Sequence, residues 1–146
     1  MKIGIANDHH GVELKNKIID YLNKNNIEVI NYGCDEKNNI DYTEYAIKLC
    51  NSINNKEVEL GILICGTGIG MSIIANKIKG IICAKVTTEE EAMLAKNHNR
   101  ANVIALGENT QNYEQIVSNF INTENSNEER HIRRYNRIIE IQDMNI

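Results

Sequence analysis

The chain has 146 residues, of which 42% are hydrophobic and 25% are charged, and these proportions are typical of one soluble globular domain with a full core. Its formal net charge of −4 leaves no general basic surface for nucleic acid, and no apolar run approaches the roughly 20 residues that a membrane span requires. The first residues enter a strand pattern directly and lack the features of a signal peptide. We therefore expect a single cytoplasmic domain over residues 1–146 that binds neither nucleic acid nor a membrane.

Short apolar runs alternate along the chain with stretches whose apolar residues recur at helical spacing. The runs predict strands over residues 3–6, 27–30, 60–64, 81–86 and 103–106. The stretches predict helices over 14–22 and 42–53, helices beginning near residues 71 and 88 (the second with Thr88 as its N-cap), and a helix over 113–120. This alternation predicts a three-layer αβα, Rossmann-like α/β fold with a five-stranded parallel sheet, which binds ligands at the carboxyl ends of its strands.

The last part of the chain departs from the alternation. Residues 122–129 are polar and acidic, which is typical of a linker, and residues 130–142 have the spacing of an extra C-terminal helix. The face of this helix is predicted to comprise Ile132, Tyr135, Ile138, Ile139 and Gln142. Because no strand follows it, we expect this helix to pack on its own domain or against a partner subunit.

The most informative motif is a glycine-rich loop after the third predicted strand. Cys65 ends that strand, and Gly66, Gly68 and Gly70 follow at alternate positions before a helix begins. Such a loop brings backbone N–H groups close to an anion at a helix N-terminus. A lone cysteine is more often a buried apolar residue, but beside an anion site a thiol could also act as a nucleophile or a base.

Other readings of this loop are disfavoured by particular positions. Met71 stands where a phosphotyrosine phosphatase needs an arginine, no Gly-Lys-Ser/Thr follows as in a P-loop, and the GxGxG spacing matches a dinucleotide fingerprint only weakly. The cysteines show no CxxC spacing, so we expect no disulfide and no zinc site and we interpret the other three as structural. The four are Cys34, Cys50, Cys65 and Cys83.

Two histidine segments are further candidates for chemistry. Asp8, His9 and His10 follow the first predicted strand, either as a polar turn that Asp8 caps or as part of a site. His98 and Asn99 end a predicted helix, either as a C-terminal cap segment or as a second part of that site. We expect His98 to lie at the same edge of the sheet as Cys65 and Asp8.

An arginine cluster lies in the last predicted helix. A run of charges is usually a solvated face, but this one stands out in an acidic chain, and arginine suits bidentate phosphate binding. Arg130 and Arg134 are four residues apart and share one helix face. Tyr135 is the only aromatic residue within this cluster, and one ring offers little surface for stacking bases, so a nucleic-acid contact is disfavoured.

Together these segments resemble the ribose-5-phosphate isomerase B family, which includes the lactose-pathway galactose-6-phosphate isomerase subunits. The resemblance covers nearly the whole chain and implies interconversion of phosphorylated aldoses and ketoses through an enediolate, without a metal or an organic cofactor. It is carried, in order, by Asp8-His9-x-Gly11, Asp41-Tyr42, the run from Cys65 to Ser72, Ala75-Asn76-Lys77, His98-Asn99 and Arg130-His131-x-x-Arg134.

The resemblance also implies catalytic roles for matched residues. Cys65 would be the base that moves the proton between C1 and C2 of the sugar, His98 would assist opening of the sugar ring, and Asp8 would move protons at the sugar oxygens. The enediolate oxygen would be stabilised by Thr67 and by the backbone N–H groups of Gly66, Gly68, Ile69 and Gly70.

The remaining matched residues are implied to bind substrate. Tyr42 and Asn99 would line the pocket, while His9, Arg130 and Arg134 would hold the phosphate. Family members are homodimers or dimers of dimers whose sites are shared across an interface, which suits a terminal helix that carries arginines.

Four positions depart from the family pattern without removing a proposed catalytic group. Thr43 replaces the usual proline after Asp-Tyr, and Ile82 replaces a frequent arginine. His10 stands where a small residue is common, and Arg100 replaces a common acidic residue. We expect His10 and Arg100 to lie beside the pocket, where they could alter substrate preference.

The residues leave more than one function open. We expect isomerisation of ribose 5-phosphate to ribulose 5-phosphate, and the nearest rival is the same chemistry on a six-carbon phosphosugar such as galactose 6-phosphate or allose 6-phosphate. A non-catalytic sugar-phosphate-binding module would need the glycine loop and the arginines but not Cys65. A thiol redox protein is disfavoured by the absence of a CxxC pair.

Overall fold

The computed structural model describes residues 1–144, so positions 145 and 146 of the predicted domain lie outside the described residues, and its extent over 1–146 stays a prediction. The strands in this range are β1 (Lys2–Asn7), β2 (Glu28–Asn31), β3 (Leu60–Cys65), β4 (Cys83–Lys85) and β5 (Val103–Gly107). The helices are α1 (Val12–Lys24), α2 (Tyr42–Asn54), α3 (Ile69–Asn76), α4 (Glu89–Asn99), α5 (Tyr113–Asn122) and α6 (Glu129–Asp143). A 3-10 turn over His9–Gly11 precedes α1.

The five strands form one parallel sheet in the order β2-β1-β3-β5-β4. The predicted three-layer αβα fold with five parallel strands and an extra C-terminal helix is therefore confirmed. Asn7 lies beside Ile64, and Cys65 lies beside Gly107, so the three central strands end together. We call this side of the sheet, where the strands end, the carboxyl edge, and we call the side where they begin the amino edge.

Helices cover both faces of the sheet, and this arrangement explains why the central strands are apolar throughout. Successive residues of β3 point to opposite faces: Ile62 and Ile64 pack in the core under α1, α4 and α5, whereas Leu63 and Cys65 pack in the core under α2 and α3. The helix α6 lies outside these layers and contacts α4. Within residues 1–144, no helix has the length and apolar character needed to cross a membrane.

The edge strand β4 begins two residues later than predicted. The N–H of Ile81 donates to the carbonyl of Ile78 in a turn, at 3.1 Å, and the strand ladder starts only where Cys83 pairs with Val103. The Asn76 side chain binds both the N–H and the carbonyl of Cys83 at 2.8 Å. Ile81 is apolar because it is buried in the core and not because it pairs with a strand.

Two predicted helix features are confirmed. Thr88 caps α4 through a capping box, in which its hydroxyl accepts the Glu91 N–H at 3.1 Å while the Glu91 carboxylate accepts the Thr88 N–H at 3.1 Å. The last helix begins one residue before the predicted 130 and ends one after 142. Its Gln142 side chain donates to the carbonyl of Ile81 at 2.8 Å, which fastens the end of α6 to its own domain.

Candidate active site

The end of β3 places a thiol at the start of a helix. The side chain of Cys65 is buried, and its Sγ accepts the N–H of Gly68 at 3.1 Å. The sulfur therefore lies at the N-terminus of α3, where backbone N–H groups converge. The predicted combination of a cysteine and a glycine loop at one point of the carboxyl edge is present.

The other cysteines have the environment of structural residues. Burial raises the pKa of the Cys50 thiol to about 12 and raises the pKa of Cys83 further. Burial also raises the pKa of Cys34, although Lys15 opposes this shift. These three thiols stay protonated and unreactive near neutral pH.

The glycine loop needs glycine at two of its positions for different reasons. Gly68 has a φ of +82°, and a Cβ there would lie 3.1 Å from the carbonyl carbon of Leu106. A Cβ on Gly70 would lie 2.7 Å from the ring of Tyr42, so the aromatic ring covers the loop closely. Tyr42 therefore lies beside the loop, and its predicted role in lining the substrate pocket stays a prediction.

Two of the loop N–H groups are already engaged inside the loop. The Gly68 N–H points at Cys65, and the Ile69 N–H donates to the Thr67 hydroxyl at 3.1 Å. Thr67 and Ile69 are exposed, whereas Gly68 between them is buried. Gly66 lies on the other flank of the loop, where its carbonyl accepts the N–H of Glu108 at 3.3 Å.

The loop after β1 adds a carboxylate and two imidazoles to the carboxyl edge. Asp8 is buried, its N–H donates to the carbonyl of Ile64 at 3.1 Å, and its Oδ1 accepts the His10 N–H at 2.9 Å. Asp8 thus caps the following turn, as one reading of the sequence expected, and also lies beside the end of β3. The ring of His9 stacks obliquely on that of His10, with 4.2 Å between centroids, and its Nδ1 accepts the Ile40 N–H at 3.4 Å.

Sequence reasoning missed two charged residues of this edge. Glu108, directly after β5, lies with its Oε2 3.1 Å from Nδ1 of His10, which in turn lies beside Gly66. The signal was available, because a polar residue directly after a central parallel strand belongs to the carboxyl edge. The fully buried Lys15 donates to the carbonyl of Cys34 and to the Asp35 carboxylate, and it looked like an ordinary helix residue in the sequence. We name the group formed by Asp8, His9, Tyr42, Thr67 and the Cys65 thiol the carboxyl-edge cluster.

The expectation that His98 shares this edge is wrong within one chain. The helix α4 starts after β4 at the carboxyl edge and returns to the amino edge, where β5 begins at Val103. Cys65 pairs with Gly107 at the other end of β5, four residues further along, which is about 13 Å at the usual rise of a strand. A helix that connects parallel strands runs opposite to them, so its last turn belongs to the amino edge. The same holds for Arg100, which therefore does not lie beside the thiol either.

The amino edge gathers the other half of the predicted site residues. The His98 ring stacks on that of His131 with 4.1 Å between centroids, and Arg130 forms an ion pair with Glu128 at 2.9 Å. Asn99 and Arg134 are exposed beside them. The guanidinium of Arg100 lies 5.2 Å from the centre of the Tyr135 ring, in cation–π geometry. We name the group formed by His98, Asn99, Arg130, His131 and Arg134 the amino-edge cluster.

The other two departures from the family pattern, Ile82 and Thr43, are half-buried. Ile82 is half-buried against the core, and its N–H donates to the Asn102 side chain at 2.9 Å. Thr43 is half-buried in the first turn of α2. Within residues 1–144, His, Cys, Asp and Glu side chains form no group of three that could hold a metal ion.

The fold and the carboxyl-edge cluster define a class of protein: an α/β enzyme with a small-molecule site at the ends of parallel strands. A thiol, a carboxylate and imidazoles surround a glycine loop that can hold an oxyanion. The amino-edge cluster, with two arginines and a histidine pair, is suited to a phosphate.

The family follows from comparison with known proteins. The family model described as Ribose/Galactose Isomerase matches residues 3–138, and the chain belongs to this family. Ribose-5-P isomerase B of Listeria innocua is 41% identical over 107 residues, which is 73% of this chain and 72% of the relative.

Solved structures agree over the whole fold. Ribose-5-Phosphate Isomerase B of Clostridium thermocellum has a TM-score of 0.94 and 38% identity, with 100% of both chains covered. Ribose-5-phosphate Isomerase B of Mycoplasma genitalium, solved with bound ribulose-5-phosphate, has a TM-score of 0.89 and 36% identity, with 97% of this chain and 96% of that chain covered.

Proposed function

We propose that the protein is an aldose–ketose isomerase that interconverts ribose 5-phosphate and ribulose 5-phosphate through an enediolate. The observation that carries this proposal is the Cys65 sulfur held at the N-terminus of α3 inside the glycine loop. The names of the similar proteins support it, since the Clostridium thermocellum and Listeria innocua proteins are called ribose-5-phosphate isomerases and the Mycoplasma genitalium structure holds ribulose-5-phosphate.

The carboxyl-edge cluster can supply the chemistry of proton transfer. The Cys65 thiolate removes the proton from C2 of the open-chain aldose, the C2 electrons form the C1–C2 double bond, and the carbonyl oxygen at C1 becomes the negatively charged enediolate oxygen. The same sulfur then returns the proton to C1, while Asp8 moves a proton between the two oxygens. The Thr67 hydroxyl and the loop N–H groups stabilise the oxyanion, and one such donor contributes about 3–4 kcal/mol in comparable sites.

We further propose that a second copy completes each site with its amino-edge cluster. His98 would assist ring opening, Asn99 would line the pocket, and Arg130 and Arg134 would bind the phosphate together with His9 of the first copy. In one chain the two clusters lie at opposite edges of the sheet, so neither can act alone on one sugar.

Exposed apolar side chains support the assembly of two copies. They lie on α3, which starts in the glycine loop, and on α6, which carries the arginines, and association would remove them from water. These side chains are Ile69, Ile73, Ile138 and Ile141, and the exposed Met144 directly follows α6. The proposed state is a homodimer or a dimer of dimers, in the cytoplasm, serving the pentose phosphate pathway.

Ketose formation from ribose 5-phosphate tests the proposal directly. The purified protein is expected to turn over ribose 5-phosphate without added metal, and Cys65→Ala is expected to abolish turnover while the variant still binds the sugar phosphate. Cys50→Ala is the matched control, because it removes a buried thiol that lies outside the carboxyl-edge cluster.

Each other outcome supports a different function. An intact protein that ignores ribose 5-phosphate but isomerises galactose 6-phosphate or allose 6-phosphate would be a six-carbon phosphosugar isomerase. Full activity in Cys65→Ala would contradict the assignment of the base. Binding without turnover of any of these sugars would leave a sugar-phosphate-binding module.

A further inference from the structure

The last turn of α4 is fastened from outside by the segment that follows α5. The carbonyl of Asn97 accepts the N–H of Ser126 at 2.8 Å, and the Asn97 side chain donates to the carbonyl of Glu124 at 2.8 Å. The Lys96 ammonium donates to the carbonyl of Thr123 at 3.0 Å. Residues 123–128 are part of the predicted linker, but this segment forms hydrogen bonds that hold the helical turn carrying His98.

His131 lies between this segment and the last turn of α4, where it contacts both Ser126 and His98. Its side chain is buried, and its ring lies almost parallel to that of His98, with 4.1 Å between centroids and 24° between planes. Its Nδ1 lies 2.8 Å from Oγ of Ser126, which is buried as well. A stacked neighbour covers one face of the His98 imidazole but leaves both nitrogens at the ring edge free to bind a ligand.

The hydrogen bonds around Ser126 hold the His131 ring. The Ser126 oxygen accepts the N–H of Glu128 at 3.0 Å and lies 2.8 Å from Nδ1 of His131. A neutral imidazole can pair with this hydroxyl in either tautomer, because a serine hydroxyl both donates and accepts. The ring is fixed both by stacking and by this hydrogen bond.

The charges that face His131 come from three elements. His98 on α4, together with Arg130 and Arg134 on α6, disfavours a positive charge, whereas the Glu128 carboxylate before α6, 3.6 Å from Nδ1, favours it. Burial is the largest effect and, with the neighbouring cations, holds the pKa of His131 below its ordinary value. His131 therefore stays neutral near pH 7 and places no positive charge against the His98 ring.

We infer that His131, held by Ser126, is a positioning residue that fixes the imidazole of His98 for opening of the sugar ring. This inference rests on the proposed function, which gives His98 the ring-opening step. Ring opening requires a group that takes the proton of the anomeric hydroxyl while a proton is delivered to the ring oxygen, so the nitrogen must point along a defined direction. A free histidine in the last turn of a helix would lose that orientation by rotating about its side-chain bonds.

The two directions of the proposed reaction separate this role from a general structural one. Ribose 5-phosphate is mostly cyclic and needs ring opening, whereas ribulose 5-phosphate is open-chain because its C5 oxygen carries the phosphate. Deuterium uptake from solvent at C1 of ribulose 5-phosphate therefore reports proton transfer by Cys65 without a ring step. In His131→Ala we expect kcat/KM for ribose 5-phosphate to fall about tenfold or more, while C1 exchange stays within about twofold of the wild type.

Three companion variants sharpen the test. His131→Phe keeps a flat ring against His98 and is expected to restore much of the turnover of ribose 5-phosphate that His131→Ala loses. Ser126→Ala keeps the stack but frees the ring, so we expect an intermediate loss. Arg133→Ala is the control on the same helix, because Arg133 is exposed and pairs only with Glu129 at 2.6 Å among the ion pairs of residues 1–144.

Each result decides the inference. Equal losses of turnover and of C1 exchange in His131→Ala would show a structural role for His131 and overturn the inference. An unchanged turnover of ribose 5-phosphate in this variant would also overturn the inference. Failure of His131→Phe to outperform His131→Ala would overturn the stacking argument. A wild-type protein with neither turnover nor exchange would instead overturn the proposed function itself, and the inference with it.

Discussion

Because the two clusters lie at opposite edges of one chain, we predict that mixing two inactive variants restores activity. Cys65→Ala removes the proposed base from the carboxyl-edge cluster, and His98→Asn removes the proposed ring-opening group from the amino-edge cluster. If each site takes Cys65 from one copy and His98 from another, a mixed dimer has one site with both substitutions and one site with neither. Each variant alone is expected to be inactive or nearly so on ribose 5-phosphate, and the mixture is expected to regain activity.

The expected size of the recovery follows from two-fold symmetry. Random exchange of equal amounts of the two variants makes half of the dimers mixed, and each mixed dimer has one intact site of two, so about a quarter of wild-type activity returns. The assay is ketose formation after the variants have been dissociated together and reassembled, with differently tagged copies to verify by co-purification that mixed dimers form.

The matched control pairs two substitutions at the same edge. Asp8 and Cys65 both lie at the carboxyl edge of one chain, so a mixture of Asp8→Asn and Cys65→Ala contains no intact site and is expected to stay inactive. Recovery in this control, or no recovery in the first mixture despite verified mixed dimers, would refute the shared site. Full activity of His98→Asn alone would refute its place in the mechanism.

Three further predictions concern stability. Gly68→Ala is expected to lower the free energy of unfolding by about 1–2 kcal/mol, because a side chain at φ +82° is strained. Gly66→Ala is expected to cost less, because its Cβ would meet the His10 ring only at 3.7 Å. Urea unfolding compares the two variants, and equal losses of stability would contradict the strain argument. Thr88→Ala is expected to cost about 1 kcal/mol through loss of the capping box while turnover is retained, and an unchanged urea midpoint would show that the cap adds nothing. Burial raises the pKa of Cys50 from 9.0 to about 12, so the contribution of the protonated thiol to stability is fully present below pH 9 and is lost as the pH rises toward 12. Cys50→Ala is therefore expected to reduce the fall in the free energy of unfolding above pH 9 by up to about 1.4 kcal/mol per pH unit. Parallel curves of unfolding free energy against pH for the two proteins would refute this prediction.

Most of the fold was predictable because the signals are local. Continuous apolar runs and helical spacings report which residues are buried, and five apolar runs separated by helices predict a parallel sheet. The prediction failed at the start of β4, where Ile81 is buried in a turn outside the ladder. An apolar run records burial, and strand pairing at a sheet edge is a separate property that the pattern does not contain.

The carboxyl-edge cluster was predictable for a similar reason. Cys65 and the glycines are contiguous, and Asp8 follows a central strand directly, so chain position alone sends them to one edge. Glu108 follows the same rule and was overlooked. The contact of His131 with His98 had no such signal, because the two residues belong to helices that the sequence alone does not bring together.

The sequence by itself determined the layered fold, the thiol within its glycine loop and the family resemblance, because each depends on residues that are neighbours in the chain or repeat with a fixed period. Only the tertiary structure decided that His98 and the arginines of α6 gather at the edge opposite the thiol. A connecting helix runs opposite to its strands, so its last turn lies at the amino edge, and β5 alone spans about 13 Å between the two edges. That separation is a property of how the elements pack, and it divides the predicted site residues into two clusters, which we propose act together across two copies.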